Sequence, residues 1–179
     1  MEDKDLLEKL RDPESRNYGF NLLVRKYQQK VYWLIRKMVI SHDDADDLTQ
    51  EVFIKVHRNI HNFRHDSQLY TWIYRIATNE CLNFLKRKKR WFFFPSGDAR
   101  EELMQKLTTS AYMSADEIQI KLQNALLHLP QKQRLVFNMK YFDDMSYEEI
   151  AEVTKTSVGA LKASYHLAVK KIEDLLKEH

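Results

Sequence analysis

Glycine and proline are scarce in this chain, three of each in 179 residues. Glycine loosens the backbone and proline lacks an N–H, so both interrupt regular structure; their scarcity leaves little material for a turn-rich β fold and favours helices. Cysteine is scarcer still. Cys81 is the only one, which excludes an intramolecular disulfide and a cysteine-based metal site and suits a reducing compartment. No apolar run approaches the length of a membrane span, and the N-terminal MEDKDLLEKL is charged, without the apolar core of a signal peptide. A cytoplasmic protein with no membrane insertion is the expectation. An excess of one charge is missing as well: 29 Lys and Arg against 26 Asp and Glu leave a net +3. That is too little to coat nucleic acid by bulk electrostatics, so any DNA contact has to come from local patches. The chain has no glycine-rich phosphate loop, nucleophile elbow, internal repeat or low-complexity tract, and nothing calls for a catalytic site, a metal or a cofactor.

What is present is helical periodicity. It predicts helices over Phe20 to Ile40, Asp43 to Ile60 and Leu69 to Arg90, with HNFRHDSQ (His61 to Gln68) as a loop. Periodicity fails from Trp91 to Ala115, where Pro95, Ser96 and Gly97 break the chain, and resumes near Asp116 with breaks at Pro130 and around Phe142 to Met145. The reading is all-α: two small helical units, 1–90 and 116–179, joined by a flexible linker over 91–115.

The C-terminal unit carries the sharpest pattern. Ser146 is a good N-cap, Glu149 three residues on closes a capping box, and Ile150, Ala151 and Val153 supply one apolar side. A second N-cap at Ser157 starts a helix whose core stripe is Leu161, Tyr165, Ala168, Ile172 and Leu175. Gly159, Lys162, Ala163, His166 and Lys170 gather on the opposite face. This is the outline of a helix-turn-helix, and small residues near the helix start with Lys and His beyond them suit a major groove. A solvated face on an ordinary helical hairpin fits the same pattern, so the rest of the chain decides.

Two further faces bear on that decision. On the third helix, Trp72, Arg75, Asn79, Asn83 and Lys86 lie along one stripe opposite Leu69, Ile73, Ile76, Ala77 and Phe84. An aromatic, two amides and two cations in line suit unpaired bases, and the following Lys86 to Arg90 run suits phosphates better than a merely solvated helix end. On the second helix, Asp47, Gln50, Glu51, Ile54 and Arg58 face away from Ala45, Leu48, Val52 and Val56. The helix dipole accounts for Asp43 and Asp44 but not for an exposed Ile54 among acids, which looks like a docking surface for a protein. His57, His61 and His65 recur at four-residue steps, yet two of them fall in the expected loop and no cysteine supports a metal site there.

Taken together, DDADDLTQEVFIKVHRNIHNFR, LYTWIYRIATNECLNFLKRKKR, LPQKQRLVFNMKYFDDMSYEEIAEV and SVGALKASYHLAVKKI resemble the extracytoplasmic-function (ECF) group of the sigma-70 family over nearly the whole chain. The resemblance implies a transcription initiation factor whose region 2 (1–90) and region 4 (116–179) bind core RNA polymerase, direct it to promoter DNA and help open the duplex. It implies that Asp47, Gln50, Glu51 and Ile54 dock on the polymerase. Ser157, Gly159, Lys162, Ala163, His166 and Lys170 would read the minus-35 element. Trp72, Arg75, Asn79, Asn83 and Lys86, with loop residues Phe63, Arg64 and Ser67, would read the melted minus-10 element, Trp72 near the melting fork and Asn79 beside a flipped base. It further implies an anti-sigma partner, commonly membrane-anchored. The turn VTKTS departs from the family pattern, with Lys155 where Gly is usual and Thr154 where an apolar residue is common; if that turn needs positive φ, Lys155 costs on the order of 1 kcal/mol. A stand-alone dimeric helix-turn-helix regulator is the competing reading, and it leaves the acidic docking face and the Trp72/Asn79 stripe unused.

Overall fold

The computed structural model describes residues 2–39, 41–63, 67–91 and 117–177, and all regular structure in them is helical. The elements are α1 (Asp3–Arg11), α2 (Arg16–Arg36), α3 (His42–Asn59), α4 (Leu69–Trp91), α5 (Glu117–Leu127), α6 (Gln131–Phe137), α7 (Tyr147–Thr154) and α8 (Val158–Lys177). A 3₁₀ turn at Ile60–Asn62 follows α3, and a π-helical segment at Asn138–Phe142 follows α6. The linker reading for 91–115 falls almost wholly outside the described residues.

Helix α1 is absent from the periodicity reading, because a single Leu6/Leu10 pair is too short a pattern to announce a helix. Packing makes it one. Both leucines are buried, and burying two such side chains contributes up to about 3–6 kcal/mol. Asp3 accepts a hydrogen bond from Tyr27 Oη at 2.6 Å and pairs with Lys26 at 2.6 Å. Gly19 lets α2 cross closely, since a Cβ there would sit 3.0 Å from Lys9 Cβ and 3.1 Å from its carbonyl carbon. Helix α2 also ends earlier than its apolar pattern, at Arg36, because Met38 and Val39 are buried in the turn that brings the chain to the next cap, Ser41. The Ser41 hydroxyl accepts from the Asp44 N–H and opens α3.

Helices α2, α3 and α4 pack through Leu23, Val31, Leu34 and Ile35, through Ala45, Leu48, Val52 and Val56, and through Leu69, Ile73, Ala77 and Cys81. Lys55–Glu80 (2.5 Å) and Lys88–Asp44 (2.6 Å) tie α3 to α4. In the C-terminal unit Ala125, Leu126, Leu129, Phe137, Ala168 and Ile172 form a smaller core.

The larger core continues across both units, taking in Leu135, Val136, Met139, Met145, Ile150, Val153 and Leu161. Polar contacts border this junction. Buried Arg134 donates from Nη2 to the Met38 carbonyl at 2.8 Å, and Lys37 pairs with Asp143 at 2.5 Å with its ammonium over the Phe142 ring. Tyr70 Oη donates to Glu149, and Arg75 Nε donates to the Glu152 carbonyl at 3.2 Å.

The helix-turn-helix has the expected local design. Ser146 and Glu149 form a reciprocal capping box, at 3.1 and 2.7 Å, and Ser157 Oγ accepts from the Ala160 N–H at 3.3 Å. Lys155 lies in the left-handed region, φ 55° and ψ 39°, and its N–H closes α7 on the Ala151 carbonyl. The turn therefore keeps glycine geometry without glycine. Thr154 is satisfied by a bond from its hydroxyl to the Ile150 carbonyl at 2.7 Å. Relief of the roughly 1 kcal/mol left-handed penalty should outweigh glycine's larger unfolded-state entropy. Lys155→Gly is expected to raise the melting temperature of the full chain by about 1–3 °C. A lower melting temperature in a calorimetric scan would show that Lys155 is unstrained.

Candidate nucleic-acid and polymerase interface

The acidic face of α3 is laid out as its sequence requires. Ala45, Leu48, Val52 and Val56 are buried, so Asp47, Gln50, Glu51 and Ile54 all point to solvent, and Ile54 keeps half of its surface exposed. Neither Asp47 nor Glu51 has an ion-pair partner among the described residues. Asp43 and Asp44 sit in the first turn of the helix, where negative charge meets the positive end of its dipole.

Helix α4 presents a graded surface. Trp72 is half-buried and leans on Phe63, with ring centroids 5.5 Å apart. Arg75 is half-buried and engaged by α7, whereas Asn79, Asn83 and Lys86 are exposed. From Trp72 to Lys86 the stripe runs about 21 Å at 1.5 Å per residue, long enough for several nucleotides of an extended strand. The basic run that follows is partly committed within the protein, because Lys88 is tied to Asp44 and lies over the Phe84 ring.

Phe63 and Ser67 share an open cleft of about 600 Å³ with Gln68, Leu69 and the α1 residues Asp3, Lys4, Leu7, Glu8 and Arg11. The participation of α1 has no signature in the sequence beyond Leu6 and Leu10. Arg64 lies outside the described residues, as does His65. His57 meets the edge of the Phe20 ring, centroids 4.7 Å apart. Among the described residues no cluster of His, Cys, Asp and Glu is arranged to hold a metal.

On α8, Leu161, Ala168 and Ile172 are buried, and Ser157 in the cap with Gly159, Lys162, Ala163, His166 and Lys170 on the helix are exposed on the opposite side. Gly159 answers no need of the interior, since a Cβ there would meet nothing within 4 Å. The ammonium of Lys162 lies 5.8 Å from the centre of the Tyr147 ring, beside the first helix of the motif.

Strongly shifted groups are wholly or partly buried rather than on these faces: Tyr27 is pushed up by burial and by its bond to Asp3 within the N-terminal unit, and others lie near the junction of the units. Burial pushes the Cys81 thiol up to about 12, against the opposing pull of the Arg134 guanidinium, so this cysteine is a neutral thiol at neutral pH. Burial also pushes Tyr70 up to about 12, and its hydrogen bond holds the Glu149 carboxyl below its ordinary value. A depressed carboxylate stabilises the fold above its unfolded pKa near 4.5 and loses that contribution as pH falls through the folded value. Tyr70→Phe removes the largest cause of the depression. The variant should be less stable than wild type at pH 7, and urea titrations should show the gap narrowing below about pH 4.5. A gap that widens as pH falls excludes this linkage.

Two helical units, the second ending in a helix-turn-helix with a free polar face, have the outline of a DNA-binding protein. Comparison with known proteins is specific: residues 23–91 match Sigma-70 region 2 and residues 119–172 match Sigma-70, region 4. The chain is 33% identical to the RNA polymerase sigma-H factor of Pseudomonas aeruginosa, covering 98% of this chain and 94% of that protein. It is 32% identical to the ECF RNA polymerase sigma-E factor of Escherichia coli, covering 97% and 94%. The chain belongs to the sigma-70 family, as an ECF RNA polymerase sigma factor, a family that acts by binding rather than catalysis. Two solved structures share the fold with TM-scores of 0.68. One is the sigma factor RpoE in complex with the anti-sigma factor NepR from Bartonella quintana, 21% identical over 88% of this chain and 96% of that one. The other is CnrH in complex with the cytosolic domain of CnrY, 22% identical over 98% and 97%. No helix of the described residues is long and apolar enough to cross a membrane.

Proposed function

We propose that this ECF sigma factor docks on core RNA polymerase through Asp47, Gln50, Glu51 and Ile54, and works in the cytoplasm. The minus-35 element is then read by Ser157, Gly159, Lys162, Ala163, His166 and Lys170. The minus-10 strand is opened and held by Phe63, Arg64, Ser67, Trp72, Arg75, Asn79, Asn83 and Lys86. Residues 1–90 and 116–179 act as the two promoter-reading domains, with 91–115 as the linker. The observation that carries this division is the coexistence of an exposed acidic face with Ile54 on α3, its Asp47 and Glu51 without ion pairs among the described residues, and an exposed basic face on α8. A stand-alone dimeric regulator has no use for the first of these.

Arg75 commits only its Nε–H to the Glu152 carbonyl, at 3.2 Å and at an exposed site, so its other guanidinium N–H groups can serve DNA without α7 leaving α4. The exposed contact of Arg75 with Glu152 is of a kind that water replaces readily, whereas Arg134 and the apolar core shared by the units are buried. An anti-sigma factor, commonly membrane-anchored in this family, is the regulatory partner proposed, and the two solved relatives held by anti-sigma factors support it.

Transcription from a promoter library with core polymerase, followed by mapping of start sites, tests the reading. Start sites that depend on the added chain and share two upstream elements are expected, with no gel shift by the chain alone. Specific binding to duplex DNA without polymerase would favour the dimeric regulator.

A further inference from the structure

The promoter-reading face of α8 contains a residue that the polar reading leaves out. Leu167 keeps 53% of its surface exposed, although it is a large aliphatic side chain on a helix that buries Leu161, Ala168 and Ile172. It stands one turn beyond Ala163 and one turn before Lys170 and Lys171, all three exposed, so it continues the face that starts at Gly159 and Lys162. The charge within one turn of it is positive, from Lys170 and Lys171, and the exposed acids Glu173 and Asp174 come only nearly two turns further on. From Val153 to Ile172 the chain carries Lys155, Lys162, Lys170 and Lys171 and no acidic residue. Such a surroundings suits a polyanion and disfavours an acidic or purely apolar protein partner. Gly159, whose missing Cβ opens no space the fold needs, lowers the relief at the start of the same helix and lets a base edge come close.

We propose that Leu167 reads a thymine of the upstream promoter element by covering its 5-methyl group in the major groove, while Lys170 and Lys171 hold the flanking phosphates. The inference rests on α8 being the upstream-element reader. Among the major-groove edges only thymine offers a methyl, so an aliphatic side chain at this place selects that base where an amide or guanidinium selects others.

The test uses holoenzyme, the full chain with core polymerase, on duplex promoters in which each thymine of the upstream element is replaced singly by deoxyuridine. That substitution deletes the methyl and keeps the hydrogen-bonding edge. Wild-type holoenzyme should lose about fourfold in promoter affinity at one position, the worth of one buried methylene-sized group. Leu167→Ala holoenzyme should bind the two templates equally, with an unchanged melting temperature because the side chain is exposed and alanine suits a helix. Indistinguishable thymine and deoxyuridine at every position for wild type, or discrimination that persists in Leu167→Ala, overturns the proposal. So does a Leu167→Ala variant that loses core-polymerase affinity instead, which assigns the residue to a protein contact. Scrambling the whole upstream element separates the two levels: if it changes nothing, the reading of α8 itself fails, whereas a loss on scrambling without any methyl effect rejects Leu167 alone.

Discussion

Reversing charge at Asp47 and Glu51 together, as Asp47→Lys with Glu51→Lys, is expected to weaken core-polymerase binding by about 2 kcal/mol or more, roughly thirtyfold, with the fold intact. The fold should survive because α3 is held by Ala45, Leu48, Val52 and Val56, and both carboxylates are exposed without ion pairs among the described residues. Replacing an attraction with a repulsion doubles the effect of simple truncation, so the double reversal gives the clearest signal. Ile54→Ala should weaken the same complex through lost apolar burial, and the two defects should respond differently to salt. Exposed charges about 8 Å apart or more are largely screened at physiological ionic strength, whereas the apolar loss persists. A fluorescence competition assay against labelled sigma factor at two salt concentrations reads both. Unchanged affinity for the double variant would remove α3 as the docking face.

Local signals in the sequence were legible where one short segment decides the structure. Ser146 and Glu149 form their capping box, Ser157 caps α8, and the alternation of Leu161, Ala168 and Ile172 with Lys162, His166 and Lys170 places a polar face outward. The left-handed turn at Lys155 was legible as a departure, because the motif demands positive φ whatever residue fills it. What escaped depends on partners remote in sequence. Helix α1 is fixed by contacts of Leu6, Leu10 and Asp3 with α2, and two leucines in nine residues carry no such information.

The same holds for Arg134 and Asn138. Each occupies a polar position in an amphipathic segment, yet Arg134 is buried against the Met38 carbonyl and Asn138 is fully enclosed, its Nδ2 facing the Lys37 carbonyl at 3.4 Å. Burying a guanidinium with a carbonyl as its recorded partner costs free energy that surrounding apolar contacts must offset. Such a junction is held by shape as much as by charge.

Trp72 and Asn79 should separate duplex opening from base reading. The indole of Trp72 is half-buried against Phe63 and Asn79 is exposed two turns along the same stripe, so the two offer a flat ring and a free amide to DNA. Trp72→Ala is expected to fail on duplex promoters and recover on a template mismatched across the minus-10 region, where the unstacking cost of a few kcal/mol has already been met. Asn79→Ala should stay defective on that template, chiefly for the preferred base at one position, by about 1–3 kcal/mol. Half-burial sets the control. Truncating a fully buried tryptophan costs about 3–5 kcal/mol, and Trp72, only partly exposed and packed against the core, should lose somewhat less than that while the chain still folds and binds polymerase. Circular dichroism and core-polymerase affinity come first for that reason: a Trp72→Ala chain that neither folds nor binds polymerase makes the indole a structural strut. With folding secured, equal rescue of both variants by the pre-melted template refutes the division of labour, and rescue of Trp72→Ala alone places strand separation at the Phe63/Trp72 end of α4 and base selection farther along it.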